Sequence, residues 1–301
     1  NEWPPAERPG ALFLPDEVEC VVVEEAAMDA ILTTSDPTAA AAFQTAAWAF
    51  WALLGLCLGS FSNVVIHRLP RGRSLVRPGS HCPSCRTAVA PYDNIPVLSW
   101  VLLRGRCRHC AKPISWRYPF VELLAGAAFV GVWWRWEGDW AWAGAAAAAL
   151  TALLCVAFID CDTFLIPDEL SLGLAAAGLL LSPLNPTLGD AAMARLVQSA
   201  IGAAAGLSLC WGIAALGEKA FGREAMGGGD IKLLMGVGAW TGALGAFDTM
   251  VVASFAGAAH GVWLIASGRL GRRDPIPFGP FLSGAAAFTL FYKLPFGFPF
   301  S

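Results

Sequence analysis

The sequence predicts an all-α polytopic membrane protein with about eight transmembrane helices and a small cytoplasmic zinc-ribbon-like loop between the first and the second. Three observations predict this fold class. Of the 301 residues, 56% are hydrophobic and only 14% are charged, whereas soluble domains carry about 25% charged residues. The apolar residues form stretches near the ~20 residues that cross a bilayer. One basic segment also carries two closely spaced cysteine pairs.

Eight apolar stretches are predicted to cross the membrane. Several are rich in Ala and Gly, which allows helices to pack closely within a bilayer. The predicted spans are residues 46–66, 117–135, 140–159, 169–184, 194–216, 231–246, 248–267 and 279–295. The fourth and sixth are short, so the sequence defines their edges least well.

Basic residues orient these spans. Residues 67–117 hold ten of the chain's twenty Lys and Arg residues and a single acidic residue, Asp93. The positive-inside rule makes this loop cytoplasmic, and counting spans from it places both termini outside. The basic charge could instead mark a nucleic-acid or anionic-lipid patch. Topology is the simpler explanation, so we expect membrane lipid around the spans and no nucleic-acid partner.

The four paired cysteines have a spacing close to that of a zinc ribbon. They are Cys82, Cys85, Cys107 and Cys110, two C-x2-C pairs on either side of residues 86–106. Four thiolates can hold a tetrahedral Zn²⁺ and leave no position for water, so the metal is predicted to be structural. Two disulfides are the alternative, but disulfides are rare in the cytoplasm. His81 or His109 could also replace one thiolate.

Two aspartate motifs at the edges of predicted spans carry the strongest functional signal. They occupy residues 158–168 and 226–232. An aspartate at membrane depth costs about 2.5–3.5 kcal/mol on insertion scales, so it is a functional hypothesis by default. Asp160 ends the third span and Asp230 begins the sixth, which places both at the cytoplasmic edge. Such a pair can share one proton and activate water, as in aspartic proteases, and we interpret the chain as an intramembrane aspartic peptidase.

Neighbouring residues in these motifs are expected to support the pair. The supporting residues are Asp162, Gly227, Gly229 and Lys232. The glycines allow close backbone approach, which suits an extended peptide, although a hinge that ends in a capping aspartate would need them too. Asp162 could also cap, assist or replace Asp160. Asp168 follows a proline and is expected to begin a helix, and Cys161 is expected to pack rather than react.

In this order, the motifs resemble the bacterial type IV prepilin peptidases, bifunctional leader peptidases and N-methyltransferases among the GxGD intramembrane aspartic peptidases. The similarity runs from about residue 55 to residue 285. The matching segments are Gly59–Pro70, both cysteine pairs, Asp93–Trp100, Arg117–Leu124, Ile159–Asp168, Gly227–Lys232 and Ile276–Pro280. Ser62 departs from the pattern, since the family usually has a larger apolar residue there.

The resemblance implies a reaction and a site. Asp160 and Asp230 match the catalytic pair, because the family's first aspartate precedes the proline, here Pro167, by seven positions. That spacing selects Asp160 over Asp162. The implied substrates are prepilin or pseudopilin leader peptides, cut after a glycine at the cytoplasmic face of the bacterial inner membrane. The implied second reaction methylates the new N-terminal amine with S-adenosylmethionine.

The residues for methyl transfer are less evident. No Rossmann-type G-x-G-x-x-G segment follows a predicted strand. Glu122, at the start of the second span, matches an acidic position of the family and could bind the methyl donor or the substrate amine. It could equally be a helix-start acid that the helix dipole favours. Lys112 is a second candidate.

These predictions divide the chain into four parts. They are an acidic external N-terminal extension over 1–44, a first transmembrane helix over 45–66, a cytoplasmic four-cysteine zinc-binding loop and candidate methyltransferase region over 67–116, and a polytopic aspartic peptidase domain over 117–301. Two alternatives stay open. An ion- or proton-coupled carrier would explain the membrane carboxylates but not the four-cysteine loop, and a peptidase could lack methyl transfer.

Overall fold

The structure, a computed structural model, describes residues 37–222, 226–269, 271 and 274–292. The chain divides into two compact units, residues 1–49 and residues 50–301. Of the first unit, the described part is residues 37–49, which are helical. The predicted acidic extension therefore lies outside the described residues, except for residues 37–44.

The described residues form α-helices joined by short turns and one long loop. The helices are α1 (Pro37–Arg68), α2 (Leu98–Leu102), α3 (Arg117–Arg135), α4 (Trp140–Thr163), α5 (Asp168–Leu181), α6 (Ala192–Phe221), α7 (Gly228–Ala266) and α8 (Gly279–Phe291). Within this described part there is no β-strand, only two isolated bridges, His81 with Ala88 and Arg106 with Pro113. The predicted all-α class is confirmed.

Four of the helices are long and apolar enough to cross a membrane. They cover Thr38–Arg71, Trp140–Thr163, Ala192–Ala220 and Gly228–Ala266, and α8 is a shorter apolar helix. The chain is therefore an integral membrane protein. Helices α3, α5 and α8 coincide with three further predicted spans, but the number eight stays a prediction.

Helix α7 covers two predicted spans and reverses its direction within them. At Gly242 the backbone has φ 77° and ψ −179°, which is not helical. Beyond this point Thr249 bonds to Thr289 near the end of α8, and Gly257 then packs against Phe281 near its start. The second segment therefore runs antiparallel to α8. The sequence predicts the reversal near residue 247, and the structure corrects its position to Gly242.

Small residues let the helices approach closely. Gly59 in α1 lies against α3, where an added Cβ would stand 2.7 Å from the Glu122 Cα atom. Gly202 in α6 and Gly238 in α7 face each other so closely that a Cβ on either would overlap the other backbone. Helix α4 is the most buried of the four candidate spans, and this burial extends to Asp160 near its end.

Candidate active site

Asp160 is held at the beginning of another helix. Its side chain is buried, and its Oδ2 atom accepts a hydrogen bond of 2.8 Å from the backbone N–H of Gly279, the first residue of α8. The first N–H groups of a helix lack partners within the helix and form its positive end, so a carboxylate fits there. A Cβ on Gly279 would lie only 2.7 Å from Oδ2. Glycine is therefore needed for this contact.

Asp230 lies in the first turn of α7, beside Asp160. Its N–H donates to the Gly227 carbonyl over 3.1 Å, and the carboxyl groups of Asp160 and Asp230 are near enough to interact electrostatically. Gly229 packs against Ile166, where a Cβ would come within 2.8 Å of the isoleucine Cβ. The glycines thus let the start of α7 approach the segment that follows α4, and the structure brings the two predicted aspartates together.

The other two aspartates of the first motif are engaged in ion pairs. Asp162 accepts a hydrogen bond of 2.8 Å from Arg117, whose guanidinium also lies 4.9 Å from the centre of the Phe158 ring. Asp168 begins α5, as the sequence predicts, and both of its oxygens lie 2.7 Å from Nζ of Lys232. Asp162 is therefore less available for chemistry than Asp160, and Lys232 joins the start of α5 to α7.

Sequence reasoning assigned no role to two residues at this site. Gly279 belongs to the Ile276–Pro280 segment, and its signal is a glycine–proline pair at the start of a helix. Cys210 is buried and lies within electrostatic range of Asp230. Its thiol also contacts the Met226 sulfur at 3.0 Å. Cys161 is exposed beside the aspartates.

The four paired cysteines form a cluster suited to a metal ion. Their Sγ atoms all lie within 4.8 Å of one another. Cys82 and Cys110 are 3.8 Å apart, and Cys85 and Cys107 are 4.0 Å apart. Tetrahedral zinc with Zn–S bonds of about 2.3 Å places its sulfurs about 3.8 Å apart. The donor set therefore fits Zn²⁺, and all four cysteines are free thiols in the structure.

The two cysteine turns have the same backbone design. In each, the N–H of the first cysteine donates across the turn over 2.9 Å, from Cys82 to Thr87 and from Cys107 to Lys112. The residue after each pair has a left-handed conformation, with φ 59° at Arg86 and 53° at Ala111. These turns direct two sulfurs each to a common centre. The cluster contains neither His81 nor His109.

Hydrogen bonding favours thiolates in part of this cluster. A hydrogen bond with the Thr87 side chain lowers the pKa of Cys85 to about 6, and backbone N–H groups of Cys110 and His109 lower the pKa of Cys107. The pKa of Cys110 is raised to about 11 despite a hydrogen bond from the Lys112 backbone, because burial and the neighbouring thiols disfavour another negative charge. A bound cation would offset the repulsion between neighbouring thiolates, since metals bind cysteine in its thiolate form.

Glu122 fastens the cysteine loop to the membrane helices. Its side chain is buried in α3, and its Oε2 atom accepts a hydrogen bond of 2.7 Å from the Val97 N–H. The carboxylate accepts another from the Ser60 hydroxyl. Val97 has φ 59°, an unfavourable conformation for a β-branched residue. The carboxylate therefore holds a strained turn in place. Lys112, the other candidate for methyl transfer, lies in the second cysteine turn.

Known proteins are similar to this chain over most of its length. The model for the bacterial peptidase A24 N-terminal domain matches residues 53–136, and the model for the type IV leader peptidase family matches residues 147–262. The prepilin leader peptidase/N-methyltransferase of Burkholderia pseudomallei (strain K96243) is 38% identical over 273 residues, which are 82% of this chain and 86% of that protein. The chain belongs to the type IV leader peptidase family.

Other relatives of this chain are also named prepilin leader peptidase/N-methyltransferase. The protein of Aeromonas hydrophila is 38% identical over 274 residues, 81% of this chain and 91% of its own length. The protein of Myxococcus xanthus (strain DK1622) is 42% identical over 230 residues, 74% of this chain and 65% of its own length. No solved structure matches the chain. In this chain, both aspartates lie in the second matched range, whereas Gly279 lies beyond it.

Proposed function

We propose that this protein cleaves the leader peptides of type IV prepilins or pseudopilins and methylates the new N-terminal residue. The observation that carries the proposal is the nearness of two carboxyl groups, Asp160 at the end of α4 and Asp230 at the start of α7, which lie within electrostatic range of each other. The substrate class and both reactions are taken from the name of the relatives, prepilin leader peptidase/N-methyltransferase. We infer that the leader is cut after a glycine.

The different surroundings of the two aspartates suggest a separate role for each in leader cleavage. Close carboxyl groups cannot both ionise cheaply, so they share one proton. The Gly279 N–H stabilises negative charge on Asp160, and we assign the general base to Asp160 and the acid to Asp230. Asp160 removes a proton from water while the water oxygen bonds to the scissile carbonyl carbon, which Asp230 polarises. The C–N bond then breaks as the departing amine takes the proton that Asp160 had removed from water, and Asp160 returns to its ionised form.

Eight membrane passes are proposed, by α1, α3, α4, α5, α6, the two segments of α7, and α8. The break at Gly242 supports this count, because the first segment of α7 begins near Asp160 and the start of α8, and the second segment returns toward the start of α8. Tryptophans gather at the ends of the helices opposite the aspartates, with ring centres 4.5 Å apart for Trp133 and Trp140, as is common at membrane interfaces. From the basic loop and the positive-inside rule, we propose that the aspartates lie at the cytoplasmic face of the inner membrane and that both termini lie outside.

The second reaction is assigned to residues 67–116 and their contacts with α3, and the peptidase to residues 117–301. Zn²⁺ in the four-cysteine site would brace this loop and leave no open coordination position. S-adenosylmethionine is the proposed methyl donor. Of the two candidate residues, Glu122 is committed to the Val97 N–H, so we assign it a positioning role, whereas Lys112 could contact the donor or the substrate.

Mass spectrometry of a model prepilin, incubated with the purified protein and S-adenosylmethionine, tests both activities. Cleavage after the leader glycine together with a gain of one CH₂ on the new N-terminus is the expected result. Cleavage without that gain would leave a peptidase and refute methyl transfer. An intact prepilin in the presence of folded, zinc-loaded protein would refute the proposal and favour a carrier.

A further inference from the structure

The short helix α2 exposes its apolar face and buries its polar one. The exposed fractions of Leu98, Val101 and Leu102 are 50%, 57% and 71%, and their spacing places them on one side of the helix. On the other side, Ser99 is buried and its hydroxyl donates to the Tyr92 carbonyl over 3.1 Å. A helix on an aqueous surface shows the opposite pattern. The outward face of α2 therefore fits an apolar environment.

This face begins beside a membrane helix. The Val97 N–H directly before α2 bonds to Glu122 at 2.7 Å, and Glu122 lies about 7.5 Å along α3 from its first residue at 1.5 Å per residue. Nearby on α3, Phe120 and Leu123 are also exposed. Helix α2 therefore begins at about the depth where the apolar surface of α3 starts.

A cationic hollow adjoins α2. It has a volume of about 570 Å³, is open to the surface, and is lined by Trp100, Trp116, Arg104 and Arg106 among others. The indole N–H of Trp100 donates to the Ile114 carbonyl over 3.1 Å, which fixes that ring. Both arginines are exposed, and neither forms an ion pair with another described residue. Tryptophan and arginine together are typical of the headgroup region of a bilayer.

We propose that α2 and this hollow form a lipid-docking surface. The apolar face of α2 lies among the acyl chains of the adjacent leaflet, and Arg104 and Arg106 hold the phosphate of an anionic phospholipid. Charge complementarity selects this occupant, because residues 67–117 carry ten basic residues and one acidic residue. The cysteine loop is thereby held against the membrane instead of moving freely in the aqueous phase. The proposal goes beyond the two reactions and does not depend on either of them.

Photo-crosslinking tests the apolar half of the lipid-docking surface. A benzophenone amino acid replaces Leu102 or, as the control, Val76, in protein reconstituted into nanodiscs of phosphatidylcholine and phosphatidylglycerol. If solvent exposure alone determined the crosslinking yield, Val76 would give more phospholipid adducts, because it is 81% exposed against 71% for Leu102. The proposal predicts the reverse, a several-fold higher yield of phospholipid adducts at Leu102. Equal yields, or adducts at Leu102 mainly to a second copy of the chain or to added prepilin, would overturn it.

Charge removal tests the cationic half with the same probe at Leu102. The double variant Arg104→Gln, Arg106→Gln is expected to lower the ratio of phosphatidylglycerol to phosphatidylcholine adducts to that of the bulk lipid. The control pair Arg73→Gln, Arg77→Gln removes the same charge from exposed positions of the same loop and should keep the enrichment. An equal loss of phosphatidylglycerol enrichment in both double variants would show a general charge effect and contradict a specific role for the hollow. Unchanged zinc content verifies that each variant folds.

Discussion

The backbone of Gly279 approaches Asp160 more closely than a residue with a side chain would allow. The N–H of Gly279 donates to Oδ2 at 2.8 Å, and an added Cβ would lie 2.7 Å from the same oxygen. Any larger residue must displace either the start of α8 or the carboxylate. Position 279 therefore controls the placement of the proposed general base.

Gly279→Ala is expected to lower kcat for leader cleavage by about 10- to 100-fold. A hydrogen bond to a charged group contributes about 1.5–3 kcal/mol, and about 1.4 kcal/mol corresponds to a tenfold change in rate. Steady-state cleavage of a prepilin measures the change. Gly284→Ala in the same helix is the control, because a Cβ there meets nothing within 4 Å. A normal kcat for Gly279→Ala would refute the role of this contact.

Asp93 stabilises the cysteine loop through Arg108. Two hydrogen bonds of 2.7 and 2.5 Å join them, and the bond from Arg108 holds the pKa of Asp93 below its usual value. The stabilisation is therefore present above the ordinary carboxyl pKa of about 3.9 and is lost only as the pH falls through the lowered one.

Asp93→Asn is accordingly expected to hasten zinc release to a chelating dye by a factor that stays constant from about pH 7 to about pH 5, because Asp93 remains ionised throughout this range. Arg73→Gln, a charge change at an exposed position of the same loop outside the cysteine turns, serves as the control. A difference between wild type and Asp93→Asn that disappears by about pH 5 would contradict the lowered pKa.

The sequence predicts the roles of some single residues at the site but not of others. The family resemblance selects Asp160 over Asp162, and the ion pair between Asp162 and Arg117 gives a physical reason for that choice. The contact with Gly279 has no local signal, since 119 positions separate the two partners. Such a contact depends on how α4 and α8 pack, which hydropathy and spacing do not encode.

At the scale of elements, the cysteine turns and the reversal of α7 differ in how well the sequence predicts them. The C-x2-C spacing is local chemistry, and four converging sulfurs follow from it. The reversal in α7 lacks a polar loop, and the residues around Gly242 are as apolar as a membrane span. The strongly polar residue nearby is Asp248, which the structure buries within the second segment. A boundary between the two spans that is predicted from polarity is therefore drawn near Asp248, later in the chain than the observed break at Gly242.

Gly242→Ala is expected to destabilise the protein by about 1–3 kcal/mol, the cost of holding a non-glycine residue in a conformation that essentially only glycine adopts. Its φ is 77°, and a Cβ would also press against Leu188 at 3.3 Å. Thermal unfolding in detergent measures the loss. Gly144→Ala in α4, where a Cβ meets nothing within 4 Å, should unfold at or slightly above the wild-type temperature. Equal stability of the two variants would contradict the strained reversal.

At the scale of the whole molecule, three helix ends converge on one place. Helix α4 ends near Asp160, α7 begins near Asp230, and α8 begins at Gly279. Span counting predicts that the first two share a face of the membrane, because hydropathy and basic residues determine the direction of each span. It cannot predict that their carboxyl groups meet, because this depends on glycine contacts between helices, such as that of Gly229 with Ile166.

The most direct test of the account measures prepilin cleavage by Asp160→Asn and Asp230→Asn. Each variant should lose about 10²- to 10⁴-fold in cleavage rate, the usual contribution of a general acid or base. Each should still methylate a pilin supplied without its leader, which shows that it folds. Asp248→Asn changes another buried carboxyl group of α7 and should cleave normally. Cleavage at the wild-type rate by Asp230→Asn would contradict the proposed pair.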